Sequence, residues 1–287
     1  MFFNRKDGKK IKGLKGVEKL MPFFMPSREG STNKFLFDET TKHFDAYILE
    51  KQQTEGITYT YRDLTIATLV RVFKCLPKLN RFITAKRFYQ RNSIDVTMMV
   101  HSSIQGKGDD VETTVKVSFT GEETVREVKE KLDAEIERAI KAETDAKQKE
   151  DSLAKLPTFI MRLFTRTLRI FDYFGWLSKK FLFKISPFHT SIFFADLKSI
   201  HVKYIYHHLY NFGNCSFFCA MGKEQTLPVV NEKNEIIPDK RLQLGISVDD
   251  RCVDGLYFSF MLKAAKRIVN NMSILERPPH DHEIRKH

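Results

Sequence analysis

Ser247-Val248-Asp249-Asp250-Arg251-Cys252-Val253-Asp254-Gly255 is the stretch whose reading decides the fold. The run before it, Leu242-Gln243-Leu244-Gly245-Ile246, is strand-like, and a helix is expected from Gly255 to about Asn270. Asp254 has the side chain and the place of a helix N-cap. Gly255 is expected to permit a tight turn into that helix. Asp249, Asp250 and Arg251 therefore fall on the turn between a strand and a helix, where Asp249 would raise the Asp250 carboxyl and Arg251 would lower it.

Outward from this turn the chain alternates strand and helix patterns. Residues 34–52 alternate at Phe35 and Phe37, then become helical with Phe44, Tyr47 and Ile48 on one side. Thr58-Tyr59-Thr60-Tyr61 leads into an amphipathic helix, Leu64 to Leu76, which Pro77 stops. Strands are predicted at Phe82–Tyr89, Ile94–Ile104 and Val111–Phe119, the last two as a hairpin around Gly106-Lys107-Gly108-Asp109. A Glu/Lys/Ala-rich helix follows from Glu122 to about Ala154, with Val125, Val128, Leu132, Ile136 and Ile140 on one stripe. A second helix begins after Pro157; Arg162, Arg166 and Arg169 share one face, and Ile160, Leu163, Phe164, Leu168 and Phe171 fill the other. Ile192-Phe193-Phe194 and Ser216-Phe217-Phe218 read as strands, with Cys215 and Cys219 expected on one face of the second. The expected organisation is a basic arm over 1–30, one domain over 31–276 that includes a helical segment at 122–183, and a loose tail over 277–287.

With 287 residues the chain can bury a substantial core. Its 25 Phe and 9 Tyr favour a folded β-rich or mixed structure over disorder. The net charge is +12, and Arg5, Lys6, Lys9, Lys10, Lys12, Lys15 and Lys19 crowd the start. Such a surface attracts nucleic acid, anionic lipid or a polyphosphate cofactor, or is simply solvated. Nucleic acid fits poorly, because no binding motif is present and the basic residues are not interleaved with aromatics as a stacking array. The four cysteines lack metal-ligand or disulfide-framework spacing, so reduced thiols and a cytoplasmic location are expected. No secretory leader and no apolar run long enough to span a bilayer is visible. His189, His201, His207 and His208 lack a carboxylate or cysteine at ligand spacing, and no metal is expected.

The Ser247–Gly255 stretch resembles a signature of the 2-oxoacid dehydrogenase acyltransferases and chloramphenicol acetyltransferase, Ser-x-Asp-His-Arg-x-x-Asp-Gly in the first group. Ser247, Asp249, Arg251, Asp254 and Gly255 agree; Asp250 stands where the family has its histidine. Further likeness lies in Pro77-Lys78-Leu79-Asn80 after the 64–76 helix, in Ala195-Asp196-Leu197-Lys198, in Ala220-Met221-Gly222-Lys223, and in the run from Phe260-Met261-Leu262-Lys263 through Asn271 to Leu275. Together these cover roughly residues 20–276. The resemblance implies a chloramphenicol acetyltransferase-like α/β fold with a mixed, mostly antiparallel central sheet flanked by helices. It also implies homotrimers with active sites between subunits, coenzyme A as acyl carrier and a thiol or hydroxyl acceptor; 287 residues leave no room for the family's lipoyl-bearing and subunit-binding domains, so a stand-alone catalytic domain is expected.

In that family the histidine takes the acceptor's proton and a Ser/Thr hydroxyl stabilises the oxyanion. A free aspartate near 3.9 faces a thiol near 8.5, a gap of about 4–5 units or roughly 6 kcal/mol; histidine would leave only about 2 units. The oxyanion position aligns with Ala195, and losing such a donor costs on the order of 10²–10³ in rate. Thr190 and Ser191, just upstream, are candidate substitutes, as is His189 for the base. Asp254 resembles a family residue that holds the loop by an ion pair, a role compatible with an N-cap. Two readings follow: a divergent acyl-coenzyme A transferase with a substitute base, or a catalytically degenerate homologue that binds, regulates or scaffolds.

Overall fold

The computed structural model describes residues 3–103, 110–142 and 157–280. In chain order the elements are β1 (Gly8–Lys10), α1 (Gly16–Phe24), β2 (Thr32–Thr40), α2 (Lys42–Glu55), α3 (Tyr61–Cys75), β3 (Arg81–Thr84), β4 (Arg87–Arg91), β5 (Ile94–Ser103), β6 (Asp110–Phe119) and α4 (Val125–Lys141). Then come α5 (Thr158–Phe174), α6 (Lys179–Ile185), β7 (Ile192–Asp196), β8 (Phe217–Met221), β9 (Gln225–Val230), β10 (Ile236–Asp249) and α7 (Gly255–Asn270). The expected Gly106–Asp109 turn, the helical stretch beyond Ala142 and the end of the tail lie outside the described residues.

β10 is the spine. Its second half pairs antiparallel with β2 on one side, from Arg241↔Thr40 to Asp249↔Thr32, and with β8 on the other, from Leu244↔Met221 to Val248↔Phe217. Its first half pairs with β9. The sheet runs β2-β10-β8-β7-β5-β6, parallel at β5/β7 and β7/β8 and antiparallel elsewhere. A smaller sheet, β1-β4-β3, includes part of the basic arm. This is a mixed α/β fold.

One face of the large sheet carries Val96, Met98, Val117, Phe194, Phe217, Ile246 and Val248 into the main core, where α3, α4 and α7 pack over them. α3 lies innermost, with every residue from Asp63 to Phe73 buried. Its start is set locally: Thr60 Oγ1 accepts from the Asp63 amide at 3.2 Å, and the Thr60 amide donates back to Asp63 at 3.0 Å. Thr124 and Glu127 make the same reciprocal cap for α4.

The other face holds a second cluster, in which Phe193 and Phe218 stack at 5.0 Å and pack with Leu197, Leu209 and Cys215. An irregular segment crosses this face at backbone contact. A Cβ at Gly222 would fall 1.1 Å from the Lys203 carbonyl oxygen, and one at Gly245 would fall 2.0 Å from that of Ile205. Only glycine admits that approach. The His207 ring lies flat on Phe218 at 4.2 Å.

Three expectations need correction. Phe82–Tyr89 is two strands, β3 and β4, joined by a hairpin whose Ala85 and Lys86 take φ of 51° and 56°; with no glycine there, the turn carried no signal. Cys215 and Cys219 do not share a face. Cys219 enters the main core and Cys215 the second cluster, because β8 begins only at Phe217. Gly255 is not required by its turn. Its φ is not positive, and a Cβ there would meet nothing within 4 Å.

Candidate functional site

β10 delivers Asp249 to the end of the sheet with its carboxylate fully buried. The chain then tightens into a turn: the amides of Cys252 and Val253 donate to the Asp249 carbonyl at 2.9 and 3.3 Å. That places Arg251 back against Asp249 in a two-pronged pair, Nε to Oδ1 and Nη2 to Oδ2, both 2.8 Å. A second buried guanidinium, Arg28, approaches Oδ2 at 3.7 Å. Arg251 Nη1 also donates to the Met25 carbonyl at 3.0 Å, and Arg28 Nη1 to that of Tyr210 at 2.7 Å. Asp249 is thus the anionic centre of a tie joining the end of the sheet to residues 25–28 and 210.

Asp250 takes no part in this pair. Its amide donates to the Ser31 carbonyl at 2.9 Å and its carboxyl is partly buried. Burial pushes that carboxyl above the usual aspartate range; the Asn33 side chain opposes the shift, and the carboxylates of Asp249 and Asp254 add to it. Asp254 is exposed and caps α7, accepting from the Tyr257 amide at 2.7 Å. Ser247 is buried on β10, its hydroxyl without a hydrogen-bond partner among the described residues. Cys252 is buried in the same turn, and its thiol is pushed well up by burial.

The other predicted residues lie at the entry to β7. Thr190 and Ser191 are fully buried and latch β7 onto β5: Thr190 Oγ1 donates to the Asp95 carbonyl at 2.7 Å, and Ser191 Oγ accepts from the Asp95 amide at 3.0 Å. His189 is also buried, with Nδ1 2.7 Å from Ser186 Oγ and Nε2 3.2 Å from Asp172 Oδ1. Burial pushes the imidazole below its usual range, against the pull of Asp172. Ala195, on β7 opposite Ala220, offers no hydroxyl.

His189 belongs to a buried polar network that no sequence pattern announced. Arg5 grips Asp7 through Nε and Nη2 at 2.8 Å each, and Nη2 also reaches Asp172 at 2.8 Å. Asn214 donates to Asp7 at 2.8 Å, and Arg91 to the Asn214 side-chain oxygen at 2.6 Å. Burial opposes ionisation of Asp172, but His189 and Arg5 outweigh it and hold the carboxyl at about 2. With the imidazole kept neutral near pH 7, Arg5 supplies the lasting countercharge. Beside it, Lys116 donates to the carbonyls of Ser186 and His189 at 2.6 and 3.1 Å, and burial lowers its ammonium to about 8. The members come from residues 5 to 214, so only contact reveals the set.

A cleft of about 370 Å³ opens between the two groups, lined by Arg28, Lys86, Arg169, Asp172, Asn211 and Arg251 among others. Its charged lining residues are four cations and the single acid Asp172, and Asp250 is not among them. Among the described residues no cluster of His, Cys, Asp and Glu has the arrangement of a metal site.

No protein-family model matches the chain, and no curated protein matches it. Solved structures do. A probable dihydrolipoamide acetyltransferase from Listeria monocytogenes aligns with a TM-score of 0.54 at 15% identity, covering 92% of this chain and 96% of that one. The dihydrolipoamide acetyltransferase of Azotobacter vinelandii aligns at 0.55 and 11% identity, covering 93% and 94%. A chloramphenicol acetyltransferase aligns at 0.51 and 10%, covering 91% and 99%. The fold is therefore chloramphenicol acetyltransferase-like over nearly the whole chain, and at such identities the likeness is one of fold.

Proposed function

We propose that this chloramphenicol acetyltransferase-like chain is a binding protein that takes an acyl-coenzyme A without transferring its acyl group, and that it works as a homotrimer. The observation that carries this reading is where the reactive side chains spend their hydrogen bonds. Thr190, Ser191 and His189 all direct them into the fold. The position resembling the family histidine is held by Asp250, and a free aspartate leaves a gap of roughly 6 kcal/mol to a thiol. The cationic cleft beside Arg28 and Arg251 supports a polyanionic ligand such as coenzyme A.

A second reading has one observation in its favour. Asp250 sits in no ion pair among the described residues, and its raised carboxyl is what a substitute general base needs. On that reading the protein transfers an acyl group between coenzyme A and a thiol or hydroxyl.

Calorimetry with acetyl-coenzyme A on wild type and Asp250→His, followed by transfer assays on a thiol panel, separates the two. Binding by both with transfer only by Asp250→His supports the binding protein. Transfer by wild type that Asp250→Asn abolishes establishes the enzyme. Binding by neither removes coenzyme A from both readings.

A further inference from the structure

α5 and α6 carry an unusual surface. In α5 the rows Phe159, Leu163, Ile170 and Ile160, Phe164, Phe171 run side by side along the helix, and all six are exposed, Phe159 by 71% and Leu163 by 65%. Only Asp172 of this helix is buried, and among the described residues the domain holds the helix by its C-terminal end. There the Phe3 amide donates to the Phe174 carbonyl at 2.9 Å, and Arg5 pairs with Asp172. The apolar strip continues past the helix through Trp176, Phe181 and Ile185, exposed by 49, 40 and 43%.

The charge of this surface has one sign. Arg162, Arg166, Arg169, Lys180 and Lys184 are exposed along it. Between residues 158 and 185 the only acid is Asp172, and that one is buried and paired. A neighbouring cleft of about 670 Å³, lined by Lys10, Lys12, Lys19, Phe23, Lys86 and Tyr173, joins the end of α5 to α1. In α1, Val17 and Phe24 are exposed by 70 and 75%.

We propose that α5 and α6, with α1 beside them, dock this protein on the surface of an anionic lipid bilayer. The physical case rests on two properties found together. Contiguous exposed apolar area of this kind marks an interaction surface, and a flanking array of cations on α5 and α6 without an exposed acid there, beside an α1 whose one acid, Glu18, is paired with Arg81, selects an anionic partner. A helix of 17 residues, ~25 Å long at 1.5 Å per residue, with arginines along one side lies in the plane of the interface. No described helix is long and apolar enough to cross the membrane. The arginine stems can reach past the apolar face to the headgroups, and Trp176 and Tyr173 suit the boundary layer. A second copy meeting this face by two-fold symmetry would set cations against cations.

Trp176 is the single tryptophan of the chain and reports directly. The full chain is sedimented with phosphatidylcholine vesicles containing or lacking phosphatidylglycerol while Trp176 emission is recorded. Expected is co-sedimentation and a blue shift with the anionic vesicles, weakening with salt. Arg162→Ala/Arg166→Ala should lose about fivefold in affinity for each cation removed. Leu163→Glu/Phe164→Glu should lose more than about tenfold, with unchanged circular dichroism because both positions are exposed. Equal binding to pure phosphatidylcholine would overturn the proposal. So would no binding to anionic vesicles at low salt, and so would wild-type oligomers that Leu163→Glu/Phe164→Glu dissociates without vesicle binding by either protein.

Discussion

Arg251 folds back two residues to clasp Asp249 through both carboxylate oxygens at 2.8 Å, and Arg28 closes on the same carboxylate from the start of the domain. Two guanidiniums are buried against one anion. Replacing Asp249 with Asn leaves both without compensation, and the expected cost is about 3–5 kcal/mol. Arg251→Lys is also expected to destabilise, since an ammonium cannot reproduce the fork that meets both oxygens and the Met25 carbonyl. Urea denaturation measures both; a midpoint for Asp249→Asn matching wild type refutes the account.

The backbone crossing at Gly222 and Gly245 makes a second expectation. Alanine at Gly222 must push the Lys203–Ile205 segment off the sheet, because the methyl would coincide with a carbonyl oxygen. The loss should exceed the ~1–3 kcal/mol usual for overpacking, and limited proteolysis should cut between residues 198 and 213 in the variant first. Gly255→Ala is the control. Its Cβ meets nothing and it begins a helix, so alanine there should be neutral or stabilising by up to ~1 kcal/mol.

His189 predicts acid sensitivity. The unfolded imidazole takes up a proton near pH 6.5, whereas burial holds the folded one to a lower pKa. The unfolded state therefore binds more protons as the pH drops below about 6.5, and stability falls until the folded pKa is passed. The charged groups that act on the ring are Asp172, Arg5 and Asp7. Comparing urea midpoints at pH 7.5 and 5.5, set ~1 unit either side of that value, wild type should lose more than His189→Gln. Parallel losses would assign the acid sensitivity to other groups.

Asp250 should behave oppositely to Asp249. Its carboxyl is raised, so ionising it is unfavourable in the folded state; stability present below the unfolded pKa is lost as the pH rises through the folded one. At neutral pH Asp250→Asn is therefore expected to lie within about 0.5 kcal/mol of wild type, or above it. A clear destabilisation would mean that the carboxylate makes a structural contact.

How much of this was legible along the chain follows the range of the interactions. The start of α3 is readable because Thr60 and Asp63 are three residues apart and cap each other. The Asp254 cap of α7 is readable for the same reason. The Ala85-Lys86 hairpin was missed because neither residue advertises a positive φ. The contacts of His189 were missed because Asp172, Arg5 and Asn214 converge from distant segments.

By itself the sequence determined most of the helices and the strands at β2, β5, β6, β7, β8 and the end of β10, through apolar periodicity and caps that act within a turn or two, but not the division into β3 and β4, nor β9, nor α6. The Asp249-Asp250-Arg251 order also determined that a carboxylate would stand where the resemblance places a histidine. Tertiary structure alone decided which side chains remain available for chemistry or for docking. Thr190 and Ser191 look reactive as residues, yet the packing of β7 on β5 consumes their hydroxyls. α5 looks like an ordinary amphipathic helix, yet the domain leaves its apolar face uncovered. The reason is that hydrogen-bond satisfaction and burial depend on groups brought together across the fold, which local sequence pattern does not encode.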